Sequence, residues 1–182
     1  TSVTTERLPS GMTRVSWGLD GDANGPSYNP LLSEDGQRII FESLASNLVT
    51  NDFNGTNDIF IHDLTTGVTE LVTMNAAGTA SPDGPSHSPS ISADGLTVAF
   101  VSHATNLVAV PGTNQSGEVY VRDVGVRRTE LVPGAQFESA HDPQSGAYLP
   151  AQPTVSGDGR YVAFRGHSAL IRFDRHRPVV SI

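Results

Sequence analysis

Short apolar runs separated by polar, glycine-bearing breaks recur along the whole chain. Arg38-Ile39-Ile40-Phe41, Thr97-Val98-Ala99-Phe100 and Arg160-Tyr161-Val162-Ala163-Phe164 are the clearest. Each follows a Ser-x-Asp-Gly phrase, at 33–36, 92–95 and 156–159, and each phrase follows a Pro with a short β-type run: Pro30-Leu31-Leu32, Pro89-Ser90-Ile91 and Pro153-Thr154-Val155. Gly in the fourth place supplies the positive φ that a tight reversal needs, and the Asp before it can bond the local backbone. The pattern therefore predicts strand, turn, strand three times over. Two more strands follow each hairpin: 58–63, 118–123 and 169–174, then 68–72, 128–132 and 178–182. No segment sustains the i, i+3, i+4, i+7 apolar spacing of an amphipathic helix, so the predicted class is all-β.

The phrase returns after 59 and then 64 residues, so the unit is a tandem repeat of four strands. The amino-terminal stretch obeys the same grammar at an offset of 56: Leu8 matches Leu64, Gly11 matches Gly67, and Thr13-Arg14-Val15 matches Thr69-Glu70-Leu71. Four-stranded units that bury their faces on their neighbours make a β-propeller. The expected division is an outer half-blade over 1–17, blades over 29–73 and 88–132, and a short blade over 152–182. About three and a half blades cannot close a ring of the usual four to eight. The expectation is a segment of a larger propeller whose open edge offers a route to self-association.

The stretch 30–67, PLLSEDGQRIIFESLASNLVTNDFNGTNDIFIHDLTTG, carries Ser-x-Asp-Gly, a strand ending in Phe, Ser-Asn-Leu-Val, an Asp-x-Asn-Gly-x-x-Asp loop and a strand ending in Asp-x-x-Thr-Gly. In these features it resembles the TolB-type, WD-like propeller repeat of bacterial proteins. The resemblance covers nearly all of the chain, although the second unit has Pro111 where the first has Asp52, and the third lacks the loop altogether. It implies a periplasmic or secreted location. One such fold hosts many unrelated activities, so the resemblance implies architecture and leaves the function open.

Composition removes several classes. The net charge is −8, and all eleven basic residues are Arg and scattered, so no basic stripe is available to displace counterions from a nucleic acid. With no Cys there is no disulfide, thiolate metal site or Cys nucleophile. No apolar run reaches the roughly 18–20 residues of a membrane-spanning helix. The chain reads as a segment without a leader at Thr1.

The sharpest chemical candidate is the loop Asp52-Phe53-Asn54-Gly55-Thr56-Asn57-Asp58. Oxygen donors at alternating positions around a Gly suit a calcium ion, with Asp52, Asn54 and Asp58 as the ligands. The same residues also serve a plain turn by bonding nearby backbone, and the EF-hand pattern is not met. Without that ion, no cofactor is implied. His87, with Asp83 or His141, gives only a weak zinc set, since a catalytic zinc takes three protein ligands. Asp35, Asp94 and Asp158, like Asp63, Asp123 and Asp174, occur once per unit, which points to structure rather than chemistry. No Gly-x-Ser-x-Gly elbow or phosphate loop is present, so no catalytic residue is assigned.

Where the repeat breaks, binding is expected. The connectors 17–29, 74–87 and 136–152 join outer strands to inner ones and should share one rim. Trp17, Tyr28, His87, Phe137 and Tyr148 are the candidate contacts there, for a protein, peptide or glycan; the same aromatics would also serve to plug gaps between blades. A noncatalytic binding scaffold is the leading expectation. The alternatives are the propeller part of a larger prolyl-oligopeptidase-like hydrolase, or a metal-dependent propeller enzyme.

Overall fold

In each Ser-x-Asp-Gly phrase the serine hydroxyl donates to the aspartate, at 2.5 Å for Ser33–Asp35, 2.6 Å for Ser92–Asp94 and 2.5 Å for Ser156–Asp158. The same carboxylate accepts the backbone N–H two residues on, from Gln37, Leu96 and Arg160. Gly36, Gly95 and Gly159 complete the reversals at φ 69°, 70° and 70°, a region in which a Cβ is strained. This computed structural model describes residues 10–109, 117–136, 152–165 and 170–177. Within them the turns join strands into separate antiparallel sheets, with no helix among the described residues.

The first full sheet runs β3 (Ser27–Leu32), β4 (Arg38–Ser43), β5 (Asp58–Asp63) and β6 (Val68–Leu71), each beside the next in sequence. The second repeats it with β7 (Ser86–Ile91), β8 (Thr97–Ser102), β9 (Glu118–Asp123) and β10 (Arg128–Gln136). The third has β11 (Thr154–Val155), β12 (Tyr161–Arg165) and β13 (Leu170–Asp174). The expected strand at 178–182 lies outside the described residues.

Because side chains alternate across a strand, each sheet has two apolar faces. Ile40, Ile59, Ile61 and Val72 of the first sheet pack on Val98, Phe100 and Tyr120 of the second. On its far side the second sheet offers Ala99, Val101, Val119, Val121 and Val132 to Val155, Val162 and Phe164 of the third. A branched, slender face thus meets an aromatic one at both junctions. The aromatic pairs stack in register, Phe41 on Phe60 at 5.8 Å and Phe100 on Tyr120 at 5.9 Å. Each such side chain, fully buried, contributes about 1.5–3 kcal/mol. The turns also bond sheet to sheet: Asp35 N–H donates to the Ala93 carbonyl, and Ala93 N–H donates to that of Gly157.

The aromatic face of the first sheet, Phe41, Phe60 and Leu71, is covered by Val15, Ala23, Val49 and Met74 instead of by another sheet. Gly11 keeps the left-handed conformation of its counterpart Gly67, φ 86° against 72°. Thr13–Val15 form no strand among the described residues, and the stretch that the repeat alignment would pair with them lies within 1–9, outside those residues. A strand exists only as one of a bonded pair, and the hairpin that follows, β1 (Trp17–Gly18) with β2 (Gly21–Asp22), pairs with itself.

Candidate functional site

The inner strands β3 and β7 share a defect that the sequence does not announce. Pairing with their neighbours slips between Tyr28 and Leu31, and again between His87 and Ser90. At the slip, Asn29 and Ser88 take φ 52° and 54°, left-handed conformations that Asn tolerates and Ser seldom adopts. Each is followed by a Pro, which has no N–H to lose from the ladder. The bulges turn groups of both strands toward one carboxylate, Glu42 on β4.

Glu42 is 3% exposed, yet its acceptors are met. Asn29 Nδ2 donates to Oε1 at 3.1 Å, the Ser88 backbone N–H to Oε1 at 2.9 Å, and Asn57 Nδ2 to Oε2 at 2.7 Å. Asn57 also bonds β7 twice, through its Nδ2 to the Ser86 carbonyl and through its own carbonyl to Ser86 N–H. It accepts the Tyr28 hydroxyl at 2.6 Å as well. Burial, and secondarily the Glu42 charge, raise the Tyr28 hydroxyl above its ordinary value. His87 Nδ1 and Ser88 Oγ lie 3.0 Å apart, and the His87 and His103 rings sit 5.6 Å apart. Burial first, then His103, lower the His87 pKa, with Glu42 opposing, so the ring is neutral near pH 7. Tyr28 and His87 are therefore both at the junction of the first two sheets.

Beside this network is a cleft of about 500 Å³. One Xaa-Pro step from each of the three sheets lines it, Asn29-Pro30, Ser88-Pro89 and Gln152-Pro153, together with Leu31 and Glu42. Trp17 is carried by a different element, the β1–β2 hairpin, 43% exposed with the Arg14 guanidinium 4.5 Å over its ring. Phe137, His141 and Tyr148 lie outside the described residues. Glu42 and Asn57 were not singled out in the sequence, where Glu42 simply follows the apolar run of its strand.

The connectors into β3 and β7 are held by one repeated device. Asn24 Oδ1 accepts Ser46 N–H, and Asp83 likewise accepts Thr105 N–H, with the Thr105 hydroxyl adding a second bond. Gly25 and Gly84 press on the backbones of Leu44–Ala45 and His103–Ala104, where a Cβ would meet atoms at 2.7 and 3.0 Å. Asp83 thus caps its own connector. Among the described residues, no three His, Cys, Asp or Glu side chains gather in a way that could hold a metal ion.

The 52–58 loop lies under the connector from β6 to β7. Ser81 Oγ accepts the Phe53 and Asn54 backbone N–H groups at 2.9 and 3.2 Å, Asn54 Nδ2 donates to the Pro82 carbonyl, and Asn54 Oδ1 accepts Thr56 N–H. Asp52 and Asp58 are 6% and 0% exposed. Thr73 Oγ1 donates to Asp58 Oδ1 at 2.7 Å, whereas Asp58 Oδ2, Asp52 Oδ1 and Thr56 Oγ1 are buried with no hydrogen-bond partner. Burial pushes Asp58 up to about 7, with Asp52 adding to it against the Thr73 hydroxyl and the nearby Asn54 amide. Asp52 is raised too, by burial first, against the Asn54 backbone N–H and the Ser81 hydroxyl beside its carboxylate.

Sequential four-stranded antiparallel sheets, packed face to face around a junction of inner strands, define this chain as a stretch of β-propeller. No protein-family profile matches the sequence, and no curated relative is found. Among solved structures, it is similar to an oligogalacturonate lyase in complex with manganese, with a TM-score of 0.53 and 12% identity over 90% of this chain and 37% of that one. It is also similar to TolB from Acinetobacter baumannii, with a TM-score of 0.48 and 20% identity over 84% of this chain and 30% of that one. A third is an acylaminoacyl peptidase in complex with Z-Gly-Gly-Phe-chloromethyl ketone, with a TM-score of 0.46 and 15% identity over 77% and 17%. The chain spans well under half of each, and at these identities the likeness is one of fold. Among the described residues, no helix is long and apolar enough to cross a membrane.

Proposed function

We propose that the chain is a binding scaffold that takes an extended peptide or protein segment along the cleft where the three inner strands converge. The lining of the cleft carries this reading. Three Xaa-Pro steps and Leu31, 42% exposed, offer flat apolar contact, with amide and hydroxyl side chains between them. Its volume is within the roughly 300–1,000 Å³ of ordinary ligand sites. Glu42 has its acceptors met inside the protein, so it holds the two inner strands in place and keeps the lining rigid. Trp17, on the β1–β2 hairpin, is proposed as a further contact. A periplasmic or secreted setting, implied by the resemblance to TolB-type repeats, is part of the same proposal.

Selection of displayed random peptides on the 182-residue chain tests it. A selected peptide should bind Leu31→Arg at least tenfold more weakly, and Arg127→Gly, in an outer turn, within about twofold of the parent. Binders indifferent to Leu31→Arg would remove the cleft as the site. The chain spans 37% of the similar lyase structure, which leaves room for a second reading: the propeller part of a larger enzyme, such as a hydrolase. A Gly-x-Ser-x-Gly motif elsewhere in the parent reading frame, followed by ester hydrolysis lost on replacing its Ser, would establish that reading.

A further inference from the structure

We propose that Asp52, Thr56 and Asp58 form a site for one calcium ion at the seam between the 52–58 loop and the β6–β7 connector. A loop that were only a turn would spend its polar atoms on its own backbone, as Asp35, Asp94 and Asp158 do. Here three oxygens, two of them from carboxylates more than nine-tenths buried, are left without a partner in one seven-residue stretch. A buried polar group without a partner costs about 1–3 kcal/mol, and more when charged, so three in one loop call for an occupant.

The donor set identifies that occupant. All three atoms are hard oxygens, with no imidazole or thiolate, which suits calcium or magnesium and disfavours zinc. Two carboxylates balance one divalent charge. The neutral hydroxyl, loop carbonyls and water would fill a shell of six to eight, which calcium takes flexibly, whereas magnesium demands near-octahedral geometry and keeps its own water. The left-handed Gly55, φ 64°, gives the loop the tight bend such a shell requires.

The second sheet supplies an internal contrast. Glu118 stands where the first has Asp58 and accepts the Tyr120 hydroxyl at 2.9 Å, while Pro133 replaces Thr73 and Pro111 replaces Asp52. One ion per chain is therefore expected. Because Ser81 and Pro82 of the connector already bond the loop, an ion held there would fasten the first sheet to the strand entering the second.

Calorimetric titration of the chelator-treated 182-residue chain with calcium chloride tests the site. The expected result is one ion per chain with a dissociation constant at or below about 1 mM, in the range of extracellular calcium modules, and at least tenfold weaker binding of magnesium. Asp58→Asn should weaken calcium at least tenfold, and Asp35→Asn, in a self-satisfied turn, should leave it within about twofold. Should Asp58→Asn fail to fold, Thr56→Val, which removes one neutral ligand, should weaken binding three- to tenfold. The proposal is overturned by a parent chain that gives neither heat nor a rise in melting temperature up to about 10 mM calcium. Binding insensitive to both Asp58→Asn and Thr56→Val would overturn it equally.

Discussion

The first and second sheets carry the same strand order, the same turn and an aromatic pair in the same register, and four of the positions at which they differ change charge, side-chain reach or backbone freedom. Glu42 in the first is Val101 in the second, Asp58 is Glu118, Thr73 is Pro133, and Gly67 is Arg127. Where the two agree, side chains tie strands within each sheet: Phe41 stacks on Phe60 and Phe100 on Tyr120, and Ser43 bonds Ser27 as Ser102 bonds Ser86. Where they disagree, the first sheet gains a buried, hydrogen-bonded carboxylate at its inner end and two carboxylates with spare oxygens at the start of its third strand. Repetition builds the scaffold, and departures from it place the chemistry.

Four substitutions would break or sharpen that contrast. The largest effect is expected from Phe100→Ala, which empties a seam closed by sheets on both sides and should cost about 3–5 kcal/mol in urea unfolding. Phe41→Ala should cost less, because its face is covered by connector residues that can settle into the gap. Equal losses would mean that the amino-terminal cover packs as firmly as a sheet. Glu42→Ala comes next, at about 2–3 kcal/mol, since it strands donors from Asn29, Asn57 and the Ser88 backbone. Amide exchange should then quicken at Ser88, and unchanged protection there would contradict the role given to Glu42. The smallest change is a gain. Arg127 occupies the turn position of Gly67 at φ 57°, so Arg127→Gly should stabilise by about 1 kcal/mol or less, the exposed pairing with Glu70 being worth little. A loss on this substitution would show that the Glu70 contact outweighs the strain.

The Ser-x-Asp-Gly turns and the strands beside them were legible because they depend on neighbours in sequence: a hydroxyl, a carboxylate and a glycine at fixed offsets. Thr13–Val15 follow the repeat in sequence, but a strand also needs a partner, and the residues that would pair with them lie outside the described ones. The site was harder to see. Glu42 follows the apolar run of its strand, and its donors come from Asn29, from Asn57 and, 46 residues on, from the bulge at Ser88. Ser is an uncommon left-handed residue, so nothing local advertised that bulge. Likewise Asp52 and Asp58 were readable as oxygen donors, but their burial follows from the connector at Ser81–Pro82 folding over them. Tyr28 and His87 were named as rim contacts, and Asn57, which joins Tyr28 to Glu42, was overlooked as one more loop amide.

The bond from Asp35 N–H to the Ala93 carbonyl, and from Ala93 N–H to that of Gly157, is made by backbone alone, within one residue of the same point of each turn. Such a coupling is indifferent to side-chain identity and presents a donor to one neighbour and an acceptor to the other. A duplicated unit spliced between any two existing ones would find its mates already in place on both flanks. Lengthening such a gene by unequal recombination therefore needs no coordinated second mutation at the joints, and individual copies are free to drift in their loops while the joints stay compatible.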